Sequence, residues 1–126
     1  MATVLTQNGA SLIANVYVGK YVGLIRQDGT EVDGKDYARQ SIPSLSVSSD
    51  DTNFYFTNST DIVFPVAGSD WATTTNMINK INIYDSATAG NVLATVDLST
   101  AKPCFQGDQI KILVGSLKIT IPKTTT

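Results

Sequence analysis

The residues able to do chemistry in this chain are few, and their types set its first limits. Histidine is absent from the 126 residues. Without an imidazole, the Ser-His-Asp and Cys-His arrangements are closed off, as are the commonest acid–base at neutral pH and most zinc or iron sites. The one cysteine, Cys104, lies between Pro103 and Phe105. With no partner base and no second thiol, it reads as a half-buried small hydrophobe rather than a nucleophile or half a disulfide. Two acidic clusters remain, Glu31/Asp33/Asp36 and Asp50-Asp51. A glycosidase needs two carboxylates opposed across a cleft, and a calcium loop needs alternating aspartates with a distal glutamate. Each cluster here falls in a local turn, where aspartate accepts hydrogen bonds from the backbone just ahead of it. Solvated turn residues are the expectation, with an adventitious cation at Asp33 and Asp36 as the alternative. The glycines lack the strand-to-helix setting of a phosphate loop. The expectation is no enzyme, no cofactor and no resident metal.

Contact chemistry is better represented. Trp71, flanked by Asp70 and Ala72-Thr73-Thr74, suits the core of a small sandwich; the competing roles are a sugar-stacking platform and an interface anchor. Arg39, one of two arginines, is placed in an alternating strand, where a salt bridge to a nearby aspartate or a subunit contact is expected. Phe54, Tyr55, Val66 and Phe105 fall near turns and are the candidate exposed apolar contacts. Together with Trp71 and Arg39 they form the candidate interface. The arms Ala2–Gln7 and Lys123–Thr126 carry no capping signals and are expected to order on a neighbour.

The elements that must position these residues are mostly strands. In IKILVGSLKITI, Ile110, Ile112 and Val114 alternate with Lys111 and Leu113. After Gly115-Ser116, Leu117, Ile119 and Ile121 alternate with Lys118 and Thr120. Period two with lysines on one side predicts strands with one buried and one wet face, joined or bulged at the glycine. NVLATVDLS and NKINIYD show the same alternation, and a three- or four-stranded antiparallel meander over Met77 to Ile121 is predicted. Tyr21–Arg26 reads as a strand. Asp28-Gly29 and Asp33-Gly34 are turn signals. Tyr37–Ile42 and Leu45–Ser48 are extended runs divided by Pro43, Asp50–Asn53 is a turn, and FYFTN and DIVF are two more strands, the second ended by Pro65. Leu12, Ile13, Val16 and Tyr17 share a helical face although Leu12, Ala14, Val16 and Val18 also alternate; a short helix capped at Asn8 or Ser11 and ended by Gly19 is preferred. Seven to nine short strands with frequent turns predict an all-β fold: one antiparallel β-sandwich, jelly-roll-like, with one short N-terminal helix, over residues 1–126.

Composition agrees and excludes partners. Hydrophobic residues make up 42% and charged residues only 16%, so Ser and Thr carry much of the surface, and Thr suits a pleated, half-exposed sheet. The net charge is −2 with the basic residues scattered. A nucleic-acid binder shows a basic stripe, so direct nucleic-acid binding is not expected. Apolar runs stay short of the about 20 residues a membrane span needs, so no membrane partner is expected. The opening MATVLTQNGAS lacks the basic and apolar regions of a signal peptide, and synthesis in the cytosol is expected.

Several phrases fall in a telling order: YVGL (Tyr21–Leu24), GTEVDGKDYARQSI (Gly29–Ile42), TNSTDIVFP (Thr57–Pro65), DWATT (Asp70–Thr74), INIYDSATAGNVL (Ile81–Leu93), Gly107-Asp108 and LKITI. The series resembles a family of small bacteriophage virion proteins, tail-fibre-like or head-decoration, over roughly Val16 to Ile121. The resemblance implies a virion structural protein without catalytic activity. A capsid auxiliary protein bound as decoration or cement on the phage head is the first expectation. A tail, baseplate or fibre-associated adaptor is the alternative, and a carbohydrate-binding module using Trp71 is the second. The partners implied are other virion proteins, either the major capsid protein or tail components, together with further copies of the chain in a homo-oligomer.

Overall fold

In a computed structural model, residues 3–125 are described. The elements in order are β1 (Thr3–Val4), α1 (Gln7–Tyr17), β2 (Tyr21–Arg26), β3 (Gln40–Ser41), β4 (Leu45–Ser49), β5 (Asn53–Asn58), β6 (Ile62–Val63), β7 (Ile78–Tyr84), β8 (Val92–Lys102), β9 (Lys111–Ile112), β10 (Lys118–Pro122) and β11 (Thr124–Thr125). Every strand pairing among them is antiparallel. A four-stranded sheet runs β3-β2-β7-β8 and a three-stranded sheet runs β10-β5-β4, with the small pairs β1-β11 and β6-β9 beside them. Val22, Leu24, Ile81 and Ile83 from the first sheet join Phe56 and Ile119 from the second in one hydrophobic cluster. The architecture is all-β and sandwich-like with one helix, as the alternation predicts.

The helix begins earlier than its sequence signals suggest. Thr6, not Asn8 or Ser11, caps it, its hydroxyl accepting from the Gly9 N–H at 3.2 Å. Gly19 ends it with φ 84°, a left-handed conformation that costs glycine nothing. The buried residues are Ala10 and Ala14, with Ile13 and Tyr17 half-buried, while Leu12 and Val16 are exposed. Packing by two alanines lets the helix lie close against the core, and this turns the bulkier Leu12 and Val16 outward.

The predicted C-terminal meander is a second correction. β7 and β8 do form a hairpin, but β9 pairs with β6 and β10 pairs with β5, in different sheets. The cause is Asn58, the one buried polar side chain among the described residues, at the end of β5. Its amide donates to the carbonyls of Thr60, Ile112 and Leu113 at 2.8, 3.3 and 3.0 Å, and its Oδ1 accepts from the Leu117 N–H at 3.0 Å. Gly115, at φ 80°, donates its N–H to the Asn58 carbonyl. The 112–117 segment therefore wraps around a satisfied buried amide instead of folding back on itself.

The terminal arms are a third correction. Thr3 pairs with Thr125 and Val4 with Thr124, and Leu5 N–H donates to the Lys123 carbonyl at 2.6 Å. The two arms order on each other; Ala2 and Thr126 lie outside the described residues.

Candidate functional site

The densest polar chemistry lies where the Gly29–Ile42 segment crosses β2 and β7. The Asp28-Gly29 turn reverses the chain as predicted: Gly29 takes φ 87°, Asp28 Oδ1 accepts from the Thr30 N–H and hydroxyl, and Glu31 bridges back to Ile25. This sets Glu31 beside Arg39 and Tyr37. Arg39 Nε and Nη2 donate to the two Glu31 oxygens at 2.9 and 2.8 Å, a bidentate pair. Its Nη1 donates to the carbonyls of Ser86 and Ala89 at 3.0 and 2.7 Å. The guanidinium also lies 3.5 Å from the centroid of the Tyr84 ring. Tyr37 donates its hydroxyl proton to Glu31 Oε2 at 2.6 Å and accepts from the Leu24 N–H. Planar guanidinium matches this set of partners, and an ammonium does not.

Electrostatics follow from the geometry. Partial burial by itself raises the Glu31 pKa, but the hydrogen bonds from Arg39 and Tyr37 and the adjacent positive charge outweigh it and hold the carboxyl below its ordinary 4.5. Tyr37 is pushed well above its ordinary 10.0, by burial first and then by donating to a carboxylate. Arg39 is raised further by its hydrogen bonds to Glu31. Both Glu31 oxygens accept internal hydrogen bonds, two at Oε2 and one at Oε1. Gly23 makes the arrangement possible: a Cβ there would stand 2.6 Å from Glu31 Oε2, 2.8 Å from Tyr84 Cε2 and 3.1 Å from the Tyr37 hydroxyl.

A second knot surrounds Trp71, which is fully buried. Its Nε1 donates to the Lys35 carbonyl at 2.9 Å, and its own carbonyl accepts from Arg26 Nε at 2.8 Å. Tyr37 meets the indole edge-on, with ring centroids 5.4 Å apart, and stacks on Phe64. Arg26 Nη2 also pairs with Asp33. Gly34 leaves the space the indole occupies. Both arginines of the chain are thus committed to internal bonds.

The predicted site residues scatter accordingly. Trp71 is core, and no platform for a sugar ring is left at that position. Arg39 is in a loop rather than a strand, and its partner is Glu31 rather than an aspartate. Phe54 is buried, a correction to its expected exposure: it alternates inward with Phe56 along β5. Tyr55 is half-exposed, its hydroxyl on Asp50 and its ring beneath Lys118. Val66 and Phe105 are exposed at 52% and 40%. Asp50 and Asp28 accept from the backbone of their own turns, but Glu31 is a bonded member of the Arg39 knot, not a solvated turn residue. Cys104 is buried, its thiol pushed up by burial and by Asp108 and Asp70. No group of three or more metal-binding side chains occurs among the described residues. The roles of Glu31, Tyr37 and Tyr84 around Arg39, and of Arg26 beside Trp71, escaped the sequence reading. The available signal was that the scarce arginines share one short phrase with Glu31 and Tyr37.

Residues 2–120 match the family model described as Podophage GP4 fiber I protein gp80. No curated protein matches the chain.

Proposed function

From the premise that this chain belongs to the podophage GP4 fiber I protein gp80 family, a family of phage fibre structural proteins whose members are components of the virion, we propose that it is a non-enzymatic structural subunit of the fibre apparatus. The observation that carries this reading is the family match over residues 2–120. The engagement of both arginines and of Glu31 in internal hydrogen bonds supports it, since those groups serve rigidity, and the one thiol is buried. One sandwich spanning the chain docks against other virion proteins and against further copies of itself. Val66, Phe105 and the exposed edge of Tyr55 contribute to those contacts, and Arg39, Trp71 and Phe54 act only by holding the scaffold that presents them. The family description favours this fibre position over the head-decoration position expected first.

Quantitative mass spectrometry of intact particles against particles stripped of tails and fibres tests the reading. Loss of the chain with the fibres, at tens of copies per particle or fewer, is the expected result. Retention on tail-less heads at hundreds of copies would return it to the capsid surface.

A further inference from the structure

All of the charged side chains fall between Lys20 and Lys123, and residues 1–19 carry none. That stretch contains the whole of α1, so the helix presents only apolar, amide and hydroxyl side chains. One side of α1 is committed to the core through Ala10 and Ala14. The helix lies against β4, the outer strand of the three-stranded sheet. Its other side holds Asn8, Leu12, Asn15 and Val16, all exposed, at the spacing of one helical stripe. Leu12 is 69% exposed and Val16 59%. Val4 and Val18, just outside the two ends of the helix, are exposed as well.

The chemistry of this face selects its occupant. Depletion of charge marks the core of an interface. Two copies of a chain with net charge −2 repel each other, and the repulsion is least where their charge-free surfaces meet. A partner recognised by charge finds nothing to pair with here. Amides both donate and accept, so a face bearing Asn8 and Asn15 is complementary to itself. The helix also leaves its own dipole uncompensated, with no acidic residue in its first turn and no basic residue in its last. An antiparallel copy sets each positive end beside a negative one and supplies that compensation. Positions 8 and 16 flank 12 symmetrically. A two-fold axis at Leu12 therefore brings leucine onto leucine, and Asn8 onto the Val16 side of the copy.

We propose that the outward face of α1 is a self-association surface, packing antiparallel on α1 of a second copy about a two-fold axis at Leu12. A helix of 11 residues is about 16 Å long. Its face covers well below the roughly 800 Å² per partner that a stable dimer buries. The contact is therefore weak, formed near millimolar concentration and between copies already held together in an assembly. This deepens the reading that further copies of the chain meet in the fibre apparatus, but the pairing itself is testable without particles.

Sedimentation of the purified full chain at up to about 1 mM is the first test. A concentration-dependent dimer is expected. Leu12→Asp should raise its dissociation constant about tenfold or more, by removing apolar contact and adding charge on both copies. Tm should fall by no more than about 3 °C, since Leu12 is exposed. A chain that stays monomeric at about 1 mM, or a dimer indifferent to Leu12→Asp, overturns the proposal. The second test oxidises an equal mixture of two mass-tagged variants, Asn8→Cys and Val16→Cys; Cys104 is buried and does not compete. Antiparallel packing yields mainly the disulfide that joins one variant to the other. Disulfides formed only within each variant overturn the antiparallel arrangement. In assembled particles, the photo-cross-linker benzoylphenylalanine at Leu12 identifies the neighbour. An adduct to another copy of this chain supports the proposal, whereas an adduct to a different virion protein overturns the assigned occupant. Absence of the chain from particles would remove the fibre reading alone, since the sedimentation and disulfide results stand without particles.

Discussion

Replacing Arg39 by alanine tests whether the Glu31 knot holds the fold or merely decorates it. The substitution removes two bonds to Glu31, two to the Ser86 and Ala89 carbonyls, and the stack on Tyr84. It strands a carboxylate that keeps only Tyr37. Breaking a fully buried pair costs about 3–5 kcal/mol. Here the Arg39 side chain is 8% exposed and that of Glu31 23%, so solvent reaches the stranded group and the expected loss is about 2–4 kcal/mol. For a chain of this length each kcal/mol lowers Tm by about 3–5 °C, so a fall of about 10 °C is expected. Arg39→Lys keeps the charge but loses the fork and the stack, and should recover less than about half of the loss.

The pH dependence gives the mechanism its own check. Because Glu31 is held below its ordinary 4.5 when folded, its contribution is fully present above that value. It is lost as pH falls from there through the folded pKa, where the unfolded chain binds the proton first. Urea unfolding of wild type and Arg39→Ala at pH 7 and at about pH 3 should therefore show the gap narrowing in acid. A variant within about 0.5 kcal/mol of wild type at pH 7 would refute the reasoning, as would a gap that stays constant in acid.

Gly23→Ala should destabilise by about 1–3 kcal/mol through overpacking against Glu31 and Tyr84, and pairing it with Glu31→Ala should relieve part of that loss in a double-mutant cycle. Trp71→Ala should cost about 3–5 kcal/mol or prevent folding, and wild-type tryptophan emission should be blue-shifted when native and move red only with global unfolding. Cys104 should resist a thiol-reactive dye such as Ellman's reagent in the native protein and react at the rate of unfolding, because the thiol is buried and its pKa raised. Thr6→Ala should remove the helix cap and cost about 0.5–2 kcal/mol, read as a lower urea midpoint with an unchanged slope.

Local chemistry carried much of this protein in its sequence. Period-two alternation is a property of single strands, so β2, β5, β7, β8 and β10 were all legible, and so were the Asp28-Gly29 and Asp50–Asn53 turns, where the side chain bonds its own backbone. The missing histidine and the lone cysteine likewise limited the chemistry before any fold was known. Pairing is different. Alternation says which face is buried but not which strand lies alongside, and the predicted meander failed because one buried amide, Asn58, draws the 112–117 segment to the end of β5. Exposure near turns failed at Phe54 for the same reason, since burial depends on what packs opposite. The Glu31–Arg39 knot needed Gly23 on one strand, Tyr84 on another and carbonyls about fifty residues away. The hollow lined by residues 94–97 of β8 and 118–121 of β10 likewise depends on elements from two different sheets, which no local pattern brings together.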